Sequence, residues 1–159
     1  MVTTTTSQDN KKSSKKIIRV EIIDSKPNNF YIMDLDKIDP KKVTLKDLDF
    51  RLNVIISTNI KGKRIKIEIE LDAFLKKKDD LEGQNIFGIK SITIFGTPDF
   101  NKIVDKNGEI TAPKEFVKKL LNICIGGVRG MLSANLINTG LSHITLPLLD
   151  LSMVVEKNN

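Results

Sequence analysis

Three kinds of residue in this chain have the types and spacing to do chemistry: the lone thiol of Cys124, the lone imidazole of His143, and carboxylates at alternate positions in Glu68, Glu70 and Asp72. A thiolate nucleophile needs an electropositive, partly open setting and a base within reach. Cys124 instead sits at an apolar position of a helical pattern, where a free cysteine acts as a small hydrophobe. His143 belongs to a Gly-Leu-Ser-His loop and reads as a polar loop residue, and a single histidine rules out a multi-histidine metal site. The three carboxylates would lie about 7 Å apart along one strand face. That spacing suits either an acidic ladder facing a basic partner or metal, or a solvated sheet face paired with Lys66 or Arg51 across a hairpin. Asp79, Asp80 and Glu82 lack the ligand spacing of a calcium loop. Gly126, Gly127 and Gly130 fall inside a helix and not at its start, so they are not a phosphate loop. No catalytic set emerges, and the chain reads as a non-enzymatic protein with no cofactor and no metal.

The elements that would position these residues follow from periodicity. Ile17 to Ile23 is rich in β-branched residues and stops at the turn cluster Asp24 to Pro27, which predicts a first strand. A long connection follows from Asn28 to Asp47, carrying apolar anchors at Phe30, Tyr31, Ile32, Met33 and Leu35 and broken at Asp39-Pro40. Asp49 to Asn59 alternates, and Lys61-Gly62 supplies a tight turn in which glycine accepts positive φ. The returning segment puts Ile65, Ile67, Ile69, Leu71 and Ala73 on one face and Lys66, Glu68, Glu70 and Asp72 on the other. After a polar turn at Lys76 to Gly83, Ile86 to Phe95 is again strand-like. Successive hairpin spacings predict an antiparallel meander with one solvated side.

The helix entry is marked by Thr111 as a cap, Pro113 in the first turn and Glu115 at the positive end of the dipole. Phe116, Leu120, Ile123, Cys124, Gly127, Met131 and Ala134 form one apolar face. Leu121, Ile125, Val128, Leu132 and Leu136 add a second, which is the candidate surface for another subunit or a bound apolar chain. The glycines weaken such a helix by about 1 kcal/mol each, so they are expected to permit close backbone approach or a kink, and Gly140 is expected to end the helix.

At 159 residues the chain fits one domain able to bury roughly 70% of its unfolded surface. The expected division is a disordered basic arm at 1–16, a domain at 17–155 and a tail at 156–159. The arm holds Lys11, Lys12, Lys15 and Lys16 against Asp9, so it carries half of the formal charge of +6. Its lysines would support counterion-release binding of nucleic acid. Seven Phe, one Tyr and no Trp leave no aromatic platform for single strands, so nucleic acid is disfavoured as a partner. Neither a secretory leader nor a membrane-spanning run is expected, and one cysteine suits a reducing cytoplasm.

The order of strand, long apolar crossover, three-strand meander, long helix and Leu-Pro segment resembles the SecB export chaperones and their SecB-like relatives. The local match is Arg129 in the long helix, then a loop, then Leu146-Pro147-Leu148-Leu149-Asp150-Leu151. Leu148, Asp150 and Leu151 depart from the proline, asparagine and phenylalanine of that pattern. The resemblance implies an α+β fold: a four-stranded antiparallel meander sheet with a long C-terminal helix and a short second helix packed on one face. It also implies a dimer-of-dimers homotetramer and apolar grooves that hold unfolded polypeptide clients, for export or for a dedicated client such as an antitoxin. The groove candidates are Phe30, Tyr31, Ile32, Met33, Leu35, Leu148, Leu149, Leu151 and Met153, and Glu68, Glu70 and Asp72 are the partner-docking candidate. Docking to the motor SecA is in doubt because the body of this chain is mildly basic. The alternatives are a self-associating structural protein or nucleic-acid binding through the arm.

Overall fold

A computed structural model describes residues 18–33, 38–76, 83–149 and 151. The basic arm, Leu35, Asp150, Met153 and the tail lie outside the described residues. The strands are β1 (Glu21–Ile32), β2 (Leu48–Asn59), β3 (Arg64–Leu75) and β4 (Asn85–Gly96), and the helices are α1 (Phe100–Ile103) and α2 (Lys114–Leu136). The strands form one antiparallel sheet in the order β1-β4-β3-β2, and α2 lies over β1, β4 and β3. This is the expected α+β meander with a long helix and a short one.

The centre of the sheet follows the alternation of β3. Ile65, Ile67, Ile69, Leu71 and Ala73 are all buried on the inner face beside Phe87, Ile89 and Phe95 of β4. Each fully buried aliphatic of this kind contributes about 1.5–3 kcal/mol of transfer free energy. Small polar side chains occupy the inner face of β4 under the helix. Ser91 and Thr93 are buried, Thr93 exchanges a 3.1 Å hydrogen bond with Ser25 of β1, and the space a Cβ at Gly127 would occupy lies 3.9 Å from Ser25 Oγ.

The structure corrects five expectations. Asp24 to Pro27 does not end the first strand: β1 runs through it, with bulges between Ile22 and Asp24 and between Pro27 and Asn29. An edge strand tolerates proline, because its missing N–H would only have faced outward. At the β2–β3 turn the left-handed residue is Lys63 (φ 50°), not Gly62, whose N–H is received by Asn59 Oδ1 at 2.8 Å. Pro113 occupies the N-cap of α2 in place of Thr111, and α2 ends at Leu136, ahead of Gly140. Gly140 instead packs against the Pro40 ring, where a Cβ would collide with it.

The fifth correction concerns the buried face of the helix. Leu121, Ile125, Val128, Leu132 and Leu136 are buried in the protomer's own core together with Phe116, Leu120 and Cys124. The two supposed faces are one broad stripe, and these five residues have no surface left for another subunit. The outward side carries Ile123, Gly126, Gly130, Ala134 and, just past the helix, Ile137, and a Cβ added at Gly126 or Gly130 would meet nothing within 4 Å. Neither glycine serves close approach within the protomer, and α2 is continuous through all three.

Cys124 lies in the seam between α2 and β4, and burial pushes its thiol up to about 11, against the opposing effect of a hydrogen bond with Thr93. A disulfide thiol reagent at about pH 8 should therefore leave Cys124 unmodified in the native protein and modify it fully in denaturant. Native modification at the denatured rate would show that α2 does not seat on the sheet.

Candidate functional site

The connection between β1 and β2 and the segment after α2 meet at one end of the sheet. Two short 3-10 turns, Pro40–Lys42 and Leu45–Asp47, shape the connection. Asp39 Oδ1 accepts the Lys41 N–H at 3.2 Å, and Asp47 Oδ2 accepts from both the Thr44 N–H and the Thr44 hydroxyl, at 2.9 and 2.7 Å. His143 Nε2 donates to the Val43 carbonyl at 2.6 Å, across the two segments. The lone imidazole is thus a structural tie between loops. Arg129 reaches out of α2 to donate to the Pro147 carbonyl at 2.7 Å, so the arginine and the Leu-Pro segment singled out in the sequence are in contact.

Irregular backbone cannot turn every apolar side chain inward, and this end shows the result. Ile32, Met33, Leu45, Ile137 and Leu148 are exposed here, five of the ten exposed large hydrophobics among the described residues, with Leu148 at 89% and Ile137 at 67%. Beneath them Val43, Leu141, Ile144, Leu146 and Leu151 are buried, while Phe50, Leu52, Val54 and Ile56 on the inner face of β2 are only partly covered. An open cleft of about 500 Å³ lies at the same end, lined by Asp49, Phe50, Arg51, Phe74, Leu75, Lys76 and Gly83. The Arg51 guanidinium sits 4.7 Å from the centroid of the Phe74 ring, an attractive cation–π distance.

The residues expected to line a groove are dispersed by the pleat of β1. Phe30 and Ile32 face the helix side, whereas Tyr31 faces the opposite side of the sheet, in register with Gly88 and Asp72. Met33 and Leu148 are exposed, Leu149 is half-buried, and Leu151 is in the core. Sequence reasoning missed Leu45 and Ile137. Leu45 is embedded in the polar Thr-Leu-Lys-Asp turn, and Ile137 continues the helical pattern one step beyond the last turn of α2, so the only available signal was an apolar residue next to a helix end.

On the outer face Glu68, Glu70 and Asp72 do line up along β3, but at least two are already engaged. Lys66 lies 2.7 Å and Lys90 3.9 Å from the Glu68 carboxylate, and the Lys66 hydrogen bond holds that carboxyl below the usual glutamate range. Asp72 accepts from the Tyr31 hydroxyl at 2.5 Å, and Asn85 Nδ2 donates to the same hydroxyl at 2.5 Å. The Tyr31 ring covers Gly88, where a side chain would collide with the phenol and with Asp72. An aromatic side chain over a strand glycine is a recognised way of closing such a gap. Of the three carboxylates, Glu68 alone is in an ion pair among the described residues, and Asp72 is held by a neutral phenol. Among the described residues no group of three or more His, Cys, Asp or Glu could hold a metal ion, and no helix is long and apolar enough to cross a membrane.

No protein-family model matches the chain, and no curated protein matches it in sequence. Among solved structures it is similar to a SecB-like chaperone of Mycobacterium tuberculosis in complex with a ChAD peptide from the HigA1 antitoxin. The two align with a TM-score of 0.57 over 83% of this chain and 91% of that one, at 10% sequence identity. The fold is SecB-like. Within it, Arg129 and Pro147 hold the post-helix segment in place, and the departures at Leu148 and Leu151 have opposite fates, one outside and one inside the core.

Tyr31 is the only tyrosine, and there is no tryptophan, so its ionisation is readable by absorbance near 295 nm. Burial first, and the hydrogen bond to Asp72 second, raise its pKa above the ordinary value of about 10. The neutral phenol is the form the fold favours. Its contribution to stability is complete below the unfolded pKa and is lost as pH rises through the folded one. The native midpoint should exceed that of the denatured chain, and Asp72→Asn should lower it. Coincident native and denatured midpoints would remove the Tyr31–Asp72 contact from the description.

Proposed function

We propose that this protein is a holdase that binds extended, apolar polypeptide at the end of the sheet where the crossover and the post-helix segment meet. The observation that carries this reading is the exposure of Ile32, Met33, Leu45, Ile137 and Leu148, all on elements that run to this end of the sheet, which leaves apolar area in water there. The long edge of β1 runs to the same end and offers unpaired main-chain groups to an extended chain. A methionine on such a surface adapts to different side chains at little cost. The SecB-like fold agrees with this reading, and the related structure in complex with an antitoxin peptide makes a dedicated client one form of it.

Glu68, Glu70 and Asp72 are a weaker proposal as a docking surface, because Lys66 and Lys90 offset the charge of Glu68 and the Tyr31 hydroxyl occupies an oxygen of Asp72. Self-association is the second reading, and the outward face of α2 favours it. Gly126 and Gly130 lower helix propensity by about 1 kcal/mol each and meet nothing in the protomer, while Ile123 and Ile137 flank them. A second copy seated there would use the smooth strip.

The full chain in stoichiometric excess should suppress aggregation of a chemically denatured substrate. Met33→Asp with Leu148→Asp should weaken that suppression about tenfold, the equivalent of about 1.4 kcal/mol, with the melting temperature unchanged because both side chains are exposed. Absence of suppression by the wild-type chain sinks the holdase reading. For self-association, Gly126→Ala with Gly130→Ala should lower the mass seen by light scattering while raising the stability of the dissociated protomer by about 1–2 kcal/mol. An unchanged mass would leave the strip as solvated helix surface.

A further inference from the structure

The segment that follows α2 changes character at Ile144. Up to that residue its main chain is braced. The Thr139 and Ser142 N–H groups donate to the Leu136 and Thr139 carbonyls, the Ile144 N–H donates to the Leu141 carbonyl at 2.9 Å, and the Thr139 hydroxyl donates to the Leu136 carbonyl at 2.8 Å. His143 ties the same loop to the crossover at Val43, and Gly140 packs against the Pro40 ring. From Thr145 to Leu149 there is neither helix, strand nor turn. Among the described residues the main chain of this stretch makes one hydrogen bond, which the Pro147 carbonyl accepts from Arg129 at 2.7 Å.

Side chains do the rest of the holding. Leu146 is 4% exposed and Leu151 is buried as well, whereas Thr145 and Leu148 between them point outward. Pro147 keeps Leu146 out of the helical region, so the stretch runs extended with its side chains alternately in and out. An extended apolar client would lie on the same end of the sheet in the same form. The one polar tie is incomplete too. A guanidinium has five N–H donors, and Arg129 Nε is buried and meets no acceptor among the described residues. A buried charged donor without a partner costs free energy, and that cost is relieved once the segment lifts and water reaches the group. Few main-chain hydrogen bonds and an unsatisfied tie place this stretch among the parts of the fold that open first.

We propose that residues 145–149 are an autoinhibitory strap: the chain's own Leu-Pro stretch occupies part of the surface that receives extended apolar polypeptide, and a client binds by lifting it about the braced loop that ends at Ile144. The inference rests on the holdase reading and adds to it a means of regulation. It also separates two leucines that lie two residues apart. Leu148 belongs to the apolar surface already open to a client, and Leu146 is the anchor that a client displaces. The apparent affinity for a client is then the intrinsic affinity reduced by the fraction of molecules whose strap is open. Loosening the strap therefore tightens client binding, even though the change removes apolar side chain from the protein.

The test uses the full chain and one probe, a fluorescein-labelled peptide of alternating leucine and serine as long as the 12-residue strands of this sheet. In anisotropy titrations Leu146→Ala should bind the peptide at least about fivefold more tightly than wild type, while its melting temperature falls. Ile144→Ala truncates an equally buried side chain on the braced side, so it should lower the melting temperature without tightening binding. A second measurement follows the strap directly. The thiol of Leu146→Cys should resist a disulfide thiol reagent in the free protein and react at least about tenfold faster at saturating peptide, against the wild type, whose lone thiol is the buried Cys124, as background.

Peptide binding that leaves the Leu146→Cys thiol protected overturns the strap and leaves the holdase reading standing. So does a Leu146→Ala variant that folds by circular dichroism and binds no more tightly than wild type, or an Ile144→Ala variant that tightens binding as much. A Leu146→Cys thiol that already reacts at the denatured rate without peptide shows that no closed strap exists. Binding by Leu146→Ala alone, with none by wild type, is the strongest support. Absence of peptide binding by both also overturns the strap, and the aggregation assay then decides the holdase reading by itself.

Discussion

One contact governs the rest of this molecule: a single 23-residue helix must cover the inner face of a four-stranded sheet. A helix of that length spans about 34 Å but is only about 10 Å across, whereas four strands are wider than that. By lying over β1, β4 and β3 it buries the centre and leaves β2 to other cover. Leu52, Val54 and Ile56 are accordingly half-buried, while Ile67, Ile69 and Leu71 on the neighbouring strand are not exposed at all. The remaining cover has to come from irregular backbone, and irregular backbone is where apolar side chains are left over. Exposed Leu45 and Leu148 therefore follow from the geometry of one helix on one sheet.

The seat of that helix explains why polar atoms appear in an otherwise aliphatic layer. Ser25, Ser91, Thr93 and Cys124 are small, and Thr93 hydrogen-bonds Ser25 within the sheet and Cys124 across the interface, so the helix approaches the sheet closely. Larger aliphatics at Ser91 or Thr93 would lift α2 and uncover the stripe from Phe116 to Leu136. The same economy of volume operates on the outer face, where the absent side chain of Gly88 admits the Tyr31 ring and lets it bridge β1 to β3.

Much of this was legible in the sequence, for a physical reason that differs from element to element. β3 was read almost to its ends because a half-buried strand must alternate, and Ile65 to Ala73 alternates without a fault. The extent of β1 was not, because Pro27 and Asn29 look like a turn unless the strand is known to be an edge, and edge position is a property of the whole sheet. The stripes of α2 were assigned to two faces because positions such as Leu120, Leu121, Cys124 and Ile125 lie side by side on a helix. Periodicity cannot say whether a broad stripe meets one broad partner or two narrow ones. The apolar residues of the candidate site were partly found, at Ile32, Met33 and Leu148, but the pleat sends Tyr31 to the other face and the loop packing takes Leu151 inward.

The distribution of charge is the least predictable feature and the one with the clearest consequence. Formal charge was known from composition, yet its division between the ends depends on register: only pairing Arg64 with Asn59 and Gly96 brings the β2–β3 turn next to Arg19 and Lys106. At the crossover end Lys42 pairs with Asp39 in one turn and Lys76 with Asp49 across the β2–β3 pair, so the field of these groups is short-ranged. At the hairpin end Arg64 folds over Gly96 beside Glu21, and the other cations sit among Asp105 and Glu109, so the charge there is mixed in sign.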